Sequence, residues 1–163
     1  MKKTHSTYHK GFTLIELLVV VAIIALLAAT ILASLGSART KARDARTTSE
    51  LSSMRAQAEL YNSDHSFSYG SATGAASLAT CTLANTIFDT SSAVPNTVAT
   101  LMADVLANAS GGDVTCANTS TTWVAAAKLQ GGAVFCVDSN GTSKQEASTI
   151  TTSATALSSG HCL

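Results

Sequence analysis

Aromatics, charges and proline are all scarce in this sequence. Aromatic residues make up 5% of its 163 positions and charged residues 12%, and there is a single proline. Outside one apolar run the chain consists largely of Ala, Ser, Thr, Asn and Gly. A domain of that composition buries little apolar surface per residue and needs another source of stability. Basic residues are also sparse in the distal part. From Leu51 onward only Arg55, Lys128 and Lys144 stand against Glu59, Asp64, Asp89, Asp104, Asp113, Asp138 and Glu146. A nucleic-acid footprint needs clustered Lys and Arg, so this mildly acidic part argues against one. No C-x-x-C pair is present, which argues against a zinc site and a dithiol redox centre. No G-x-S-x-G elbow organises the Ser, His and Asp residues, and no glycine loop is built to cradle phosphate. No catalytic residue, metal ligand or cofactor site is therefore assigned.

What the chain does have is concentrated near its start. Phe12 to Leu35 reads FTLIELLVVVAIIALLAATILASL, without glycine or proline and with Glu16 as its one ionisable group. A bilayer core takes roughly 20 helical residues, so this run is long enough to span one. The distal part is too poor in large apolar residues to bury such a helix on all sides.

Beyond Gly36 a second pattern begins. Ala38, Ala42 and Ala45, then Leu51, Met54, Ala58 and Tyr61, recur at three- and four-residue steps and trace one helical stripe. Arg46 with Glu50 and Arg55 with Glu59 form i,i+4 pairs on the polar side. The reading is one helix from about Thr13 to about Tyr61, apolar all round in its first half and amphipathic in its second. Asn62–Gly74 is turn-forming and ends it. After Pro95-Asn96, Val98, Leu101, Met102, Val105 and Ala109 mark a short helix stopped by Gly111-Gly112. Trp123–Leu129 and Ala133–Val137 read as a hairpin joined through Gln130-Gly131-Gly132. Asn140-Gly141 is a second hairpin turn, with Thr142–Ala147 as its returning strand. The C-terminal TITTSATAL is β-prone. Asp138-Ser139-Asn140-Gly141 matches only the opening of a calcium loop and is read as a turn. His65 is read as solvent-exposed.

The first residues carry the functional signal. A secretory signal places its small-residue cleavage site after a short apolar stretch. Here the small residue, Gly11, comes before the apolar run and directly after Lys10. Cleavage there leaves Phe12 as the new N-terminus with the whole apolar helix retained. The run Lys10-Gly11-Phe12-Thr13-Leu14-Ile15-Glu16-Leu17-Leu18 resembles the processing site of type IV prepilins and related pseudopilins. The resemblance is strong from Lys10 to about Tyr61 and weakens in the distal domain.

This resemblance implies residues 1–11 as a basic leader cleaved after Gly11, with N-methylation of Phe12 by a membrane-embedded prepilin peptidase. Residues 12–35 become a transmembrane and then filament-core helix, 36–61 its amphipathic continuation, and 62–163 an exported globular domain. The implied fold is α+β, a long N-terminal helix packed on a small antiparallel sheet. The implied partners are other copies of the chain, the pilus assembly machinery of the inner membrane, and the lipid bilayer before assembly. The chain passes from a single-pass precursor in the cytoplasmic membrane to an extracellular or periplasmic filament.

Glu16 has a physical role as well. A carboxylate at the centre of a transmembrane helix costs about 2.5–3.5 kcal/mol, less near an end. It lies about one turn from the amine that cleavage creates on Phe12, and in a filament it is expected to pair with a neighbour's amine and so set register. Charge alone does not orient the helix. Lys2, Lys3 and Lys10 favour a cytoplasmic leader, while Arg39, Lys41, Arg43 and Arg46 flank the other end. The orientation comes from the resemblance. The second cluster meets either lipid headgroups or acidic positions such as Glu50 or Glu59 of neighbouring subunits.

Cys81, Cys116, Cys136 and Cys162 form an even set in an exported, core-poor domain, which favours two disulfides with three pairings open. The favoured set is Cys81–Cys116 with Cys136–Cys162. The second bridge would pin the C-terminus to the hairpin, as the C-terminal disulfide loop does in many type IV pilins. Two rivals remain at this stage: a type II secretion pseudopilin, and a minor pilin acting as an adhesin or DNA-uptake module.

Overall fold

The computed structural model describes residues 11–70, 74–76, 81, 86–89, 97–146, 157–158 and 161–163. The leader before Gly11, Pro95-Asn96, Ala147 and the C-terminal stretch before Leu157 lie outside the described residues. The chain divides into two compact units, Met1–Ala38 and Arg39–Leu163.

Helix α1 runs from Leu14 to Asp64. In the first unit its apolar side chains are exposed, from Leu14 at 88% to Leu35 at 41%. No described residue covers them. In the second unit the helix becomes amphipathic as expected, but its buried stripe begins later. Thr47, Leu51, Met54 and Ala58 are buried, whereas Ala38, Ala42 and Ala45 are exposed. An alanine contributes too little apolar area to draw another element over it. The helix also ends three residues beyond Tyr61, at Asp64. There the His65 N–H donates to the Tyr61 carbonyl at 3.0 Å and the Phe67 N–H to the Asn62 carbonyl at 2.9 Å. Ser66 and Phe67 take the left-handed conformation, at φ 58° and 61°, to make this stop. His65 is exposed and its ring stacks on Tyr61, centroids 3.8 Å apart.

The sheet has five antiparallel strands in the order β1-β2-β3-β4-β5. They are β1 (Gly74–Ala76), β2 (Val114–Asn118), β3 (Trp123–Lys128), β4 (Val134–Asp138) and β5 (Ser143–Gln145). The two hairpins fall where the turn residues place them. Strands β1 and β2 were not foreseen, and β5 is shorter than expected. Helix α2 (Thr97–Asn108) precedes a short 3-10 turn at Ser110–Gly112, and a two-stranded ribbon, β6 (Leu157–Ser158) with β7 (His161–Cys162), closes the chain.

Strand β3 is buried on both faces, and its alternation divides the core. Trp123, Ala125 and Ala127 join Leu51, Met54 and Ala58 of α1 and Val98, Met102 and Val105 of α2. Val124 and Ala126 join Val134, Cys136 and the partly buried Cys162 on the other face. The small alanines let α1 and α2 lie close to the sheet, and Trp123, with Phe88 edge-on at 6.5 Å, supplies the bulk.

Carboxylates tie these layers together. Asp44 of α1 accepts the N–H groups of Gln130 (2.6 Å) and Gly131 (3.0 Å) in the β3–β4 turn. A Cβ at Gly131 would stand 3.1 Å from the Asp44 carboxylate, so glycine permits this approach. Arg46 pairs with Glu50 at 2.6 Å and reaches Asp104 of α2 at 3.1 Å. The hydrogen bond to Glu50 is the main cause of the raised pKa of Arg46. Among the described residues no ion pair joins Arg55 to Glu59. Glu59 instead accepts the Tyr69 hydroxyl at 2.7 Å, and the Arg55 guanidinium lies beside Gly141. Burial, then this bond to Glu59, pushes the Tyr69 hydroxyl above its usual pKa.

Asp138 is a further carboxylate of this kind, and it is buried. Its Oδ1 accepts the N–H groups of Asn140 (3.0 Å) and Thr142 (2.9 Å), and its Oδ2 accepts that of Cys162 (3.2 Å). The segment is thus a side-chain-capped turn whose carboxylate also holds β7. Asp138→Ala strands three backbone donors and is expected to cost about 3 kcal/mol. Asp138→Asn keeps one acceptor oxygen and costs about half of that. Urea unfolding of the full chain in detergent, disulfides intact, checks this. Equal stability of wild type and Asp138→Ala would contradict it.

Candidate functional site

The candidate site is the start of α1. Gly11 precedes the helix in open surroundings: a Cβ built there meets nothing within 4 Å. Phe12 is 82% exposed. Thr13 is the helix N-cap and Glu16 stands three residues on. The Thr13 N–H (2.9 Å) and hydroxyl (2.7 Å) both donate to Oε2 of Glu16, and the Glu16 N–H faces Thr13 Oγ1 at 3.3 Å. This reciprocal arrangement is a capping box, which satisfies backbone donors that the first helical turn leaves open. A carboxylate in the first turn also meets the positive end of the helix dipole. Thr13 was not singled out from the sequence, although T-x-x-E before an apolar run is the signature of this motif.

The structure therefore brings Gly11, Phe12, Thr13 and Glu16 together, with Glu16 held by Thr13. Leu14, Ile15, Leu17 and Leu18 continue the segment with their side chains exposed. Helix α1 is long and apolar enough to cross a membrane.

The cysteines form a separate, structural set. Cys81 is bonded to Cys116 of β2, with Cα atoms 5.6 Å apart, and Cys136 of β4 to Cys162 of β7, at 5.8 Å. Among the described residues, one group, Cys136, Glu146 and Cys162, has the donor chemistry of a metal site. Both of its sulphurs are committed to the disulfide, so they offer no thiolate ligand. Lys144 lies 3.6 Å from the Glu146 carboxylate and also donates to the Leu163 carbonyl.

A profile of the prokaryotic N-terminal methylation motif matches residues 6–32. The type IV wide pilus major component PilA4 of Thermus thermophilus is 48% identical over 56 residues, covering 34% of this chain and 43% of that protein. The match thus spans less than half the length of that relative. No solved structure matches the chain. The methylation motif lies across the cap and the apolar turns just described, and with the likeness to a pilus component it makes this chain type IV pilin-like.

Proposed function

We propose that this chain is a structural subunit of a type IV pilus-like filament. In this reading a prepilin peptidase cleaves between Gly11 and Phe12 and methylates the new amine of Phe12. Residues 12–35 hold the precursor in the cytoplasmic membrane. The assembly machinery then draws the helix into a helical polymer of identical subunits, which stands outside the cell or in the periplasm.

The observation that carries this reading is the apolar surface from Phe12 to Leu35, which no described residue covers. So large an exposed apolar surface is not left to water. Lipid covers it in the precursor, and neighbouring helices cover it in a filament. The name of the relative, a major pilus component, favours the filament body over a pseudopilus or a specialised tip subunit.

Glu16 links the two states. In the uncut chain Thr13 supplies its hydrogen bonds, so the carboxylate enters the membrane partly satisfied. Cleavage places a cation one turn away. In the polymer the carboxylate takes the amine of a neighbouring Phe12, and a subunit out of register leaves that charge buried and unpaired.

Mass spectrometry of sheared surface material from the native cell tests the reading. The expected product is an abundant chain beginning at N-methylated Phe12. A Phe12 start confined to the membrane fraction shifts the assignment to a pseudopilin, and a Met1 start throughout removes the processing step.

A further inference from the structure

We propose that Arg39, Lys41 and Arg43 bind the headgroups of anionic phospholipids on the exported face of the membrane before the subunit is assembled. The proposal rests on the membrane-inserted precursor described above and assigns a ligand to its second basic cluster.

All three side chains are exposed, and none makes an ion pair among the described residues. Arg46, the fourth member of the cluster, differs: it is tied to Glu50 and Asp104. Three carboxylates that a neighbouring copy would present from the same helix, Asp44, Glu50 and Glu59, already hold contacts of their own, which leaves the exposed Asp64 at the far end of α1. Glu50 holds Arg46 with one oxygen, and its other oxygen is buried. Glu59 holds Tyr69, and both oxygens of Asp44 hold the β3–β4 turn. Pairing the free cations with these three carboxylates of a neighbour would compete with contacts inside that subunit.

Their placement around the helix points the same way. At 3.6 residues per turn, Arg39 and Arg43 share a face and Lys41 stands about 160° away. A headgroup layer surrounds the helix and so meets cations on both of these faces at once. Depth agrees too. At 1.5 Å per residue, Phe12 to Leu35 spans about 36 Å, more than the roughly 30 Å of a bilayer core. The next turns, which carry the cations, therefore fall at headgroup level, and long basic side chains reach along the interface. At that level the cations face the anionic phosphates of the headgroups. A phosphodiester takes a two-pronged contact from each Arg and a point charge from Lys41.

The test uses the full-length, uncleaved chain reconstituted in phosphatidylcholine bilayers containing phosphatidylglycerol, with spin-labelled lipids of each class as probes. At low salt, phosphatidylglycerol is expected to associate with the wild type several-fold more strongly than phosphatidylcholine. Each cation contributes at most about fivefold. The preference should fall towards unity in the R39Q/K41Q/R43Q variant and should shrink in high salt. Glutamine is a good helix former, so this variant keeps α1. The K2Q/K3Q/K10Q variant is expected to lose only the share of the leader. An unchanged preference in R39Q/K41Q/R43Q, or its complete loss in K2Q/K3Q/K10Q, overturns the proposal. So does a variant that keeps the lipid preference but forms no filaments, because the cluster then serves contacts between copies. Release of the wild type from the bilayer by alkaline carbonate would instead overturn the membrane-inserted reading on which the proposal rests.

Discussion

Replacing Gly11 with leucine is expected to leave the folded chain unchanged and to stop its processing. Inside the chain nothing requires glycine there. The backbone at Gly11 is not left-handed, and an added Cβ meets open space. A surface substitution of that kind changes stability by less than about 0.5 kcal/mol. On the proposed reading the reason for glycine lies in what approaches from outside. A peptidase that must bring its catalytic groups against the peptide bond between Gly11 and Phe12 needs the backbone bare. A side chain overpacked into such a site costs about 1–3 kcal/mol, and 3 kcal/mol is roughly a hundredfold in rate. Co-expression with a prepilin peptidase, followed by intact-mass measurement, reads the cleaved fraction directly. Normal cleavage of Gly11→Leu would mean that the bond is recognised elsewhere or not at all.

The second large effect concerns Glu16, where two roles can be separated by one atom. Glu16→Gln keeps an acceptor oxygen for the Thr13 donors, so the capping box survives. What it loses is the charge. If Glu16 served only as a cap, Glu16→Gln would assemble like the wild type and Glu16→Ala would fail. If it pairs with the Phe12 amine of a neighbour, both variants are cleaved and neither forms filaments. The second outcome is the expected one. A charge left unpaired in an apolar interior costs about 3–5 kcal/mol, enough to suppress each addition of a subunit by two to three orders of magnitude. Thr13→Ala supplies the complementary control. It weakens the helix start by about 1 kcal/mol but removes only the hydroxyl's bond to the carboxylate and leaves its charge, so filaments are expected to persist. Filament yield in sheared fractions, normalised to cleaved subunit, distinguishes these cases. Abundant filaments from Glu16→Gln would end the ion-pair account.

Much of this was legible because it is local. The apolar run from Phe12 to Leu35 announces a helix by its length and lack of breakers, and Gly11 announces itself by standing before that run. Helix α2 and the hairpins at Gln130-Gly131-Gly132 and Asn140-Gly141 follow from side-chain spacing and turn chemistry within a few residues. The capping box at Thr13 and Glu16 was equally local, written as T-x-x-E, and needed only to be read as a cap. Strands β1 and β2 carry no such signal. Gly74–Ala76 has almost no side chains to alternate, and Val114–Asn118 is a strand because β3 lies beside it and Cys116 is anchored to Cys81.

The sequence by itself determined the apolar helix, α2, the two hairpins and the position of the N-terminal methylation motif, since each depends on residues within a few positions of one another. Tertiary structure decided which part of the amphipathic stripe is buried. It placed Glu59 on Tyr69 rather than on Arg55, and it brought Asp44 and Asp138 to backbone donors distant in the chain. It also selected one of three cysteine pairings. Contacts of this kind depend on which surfaces the packed core brings together. No short-range periodicity encodes that choice, because the entropy cost of joining distant residues is met by the whole core rather than by either partner.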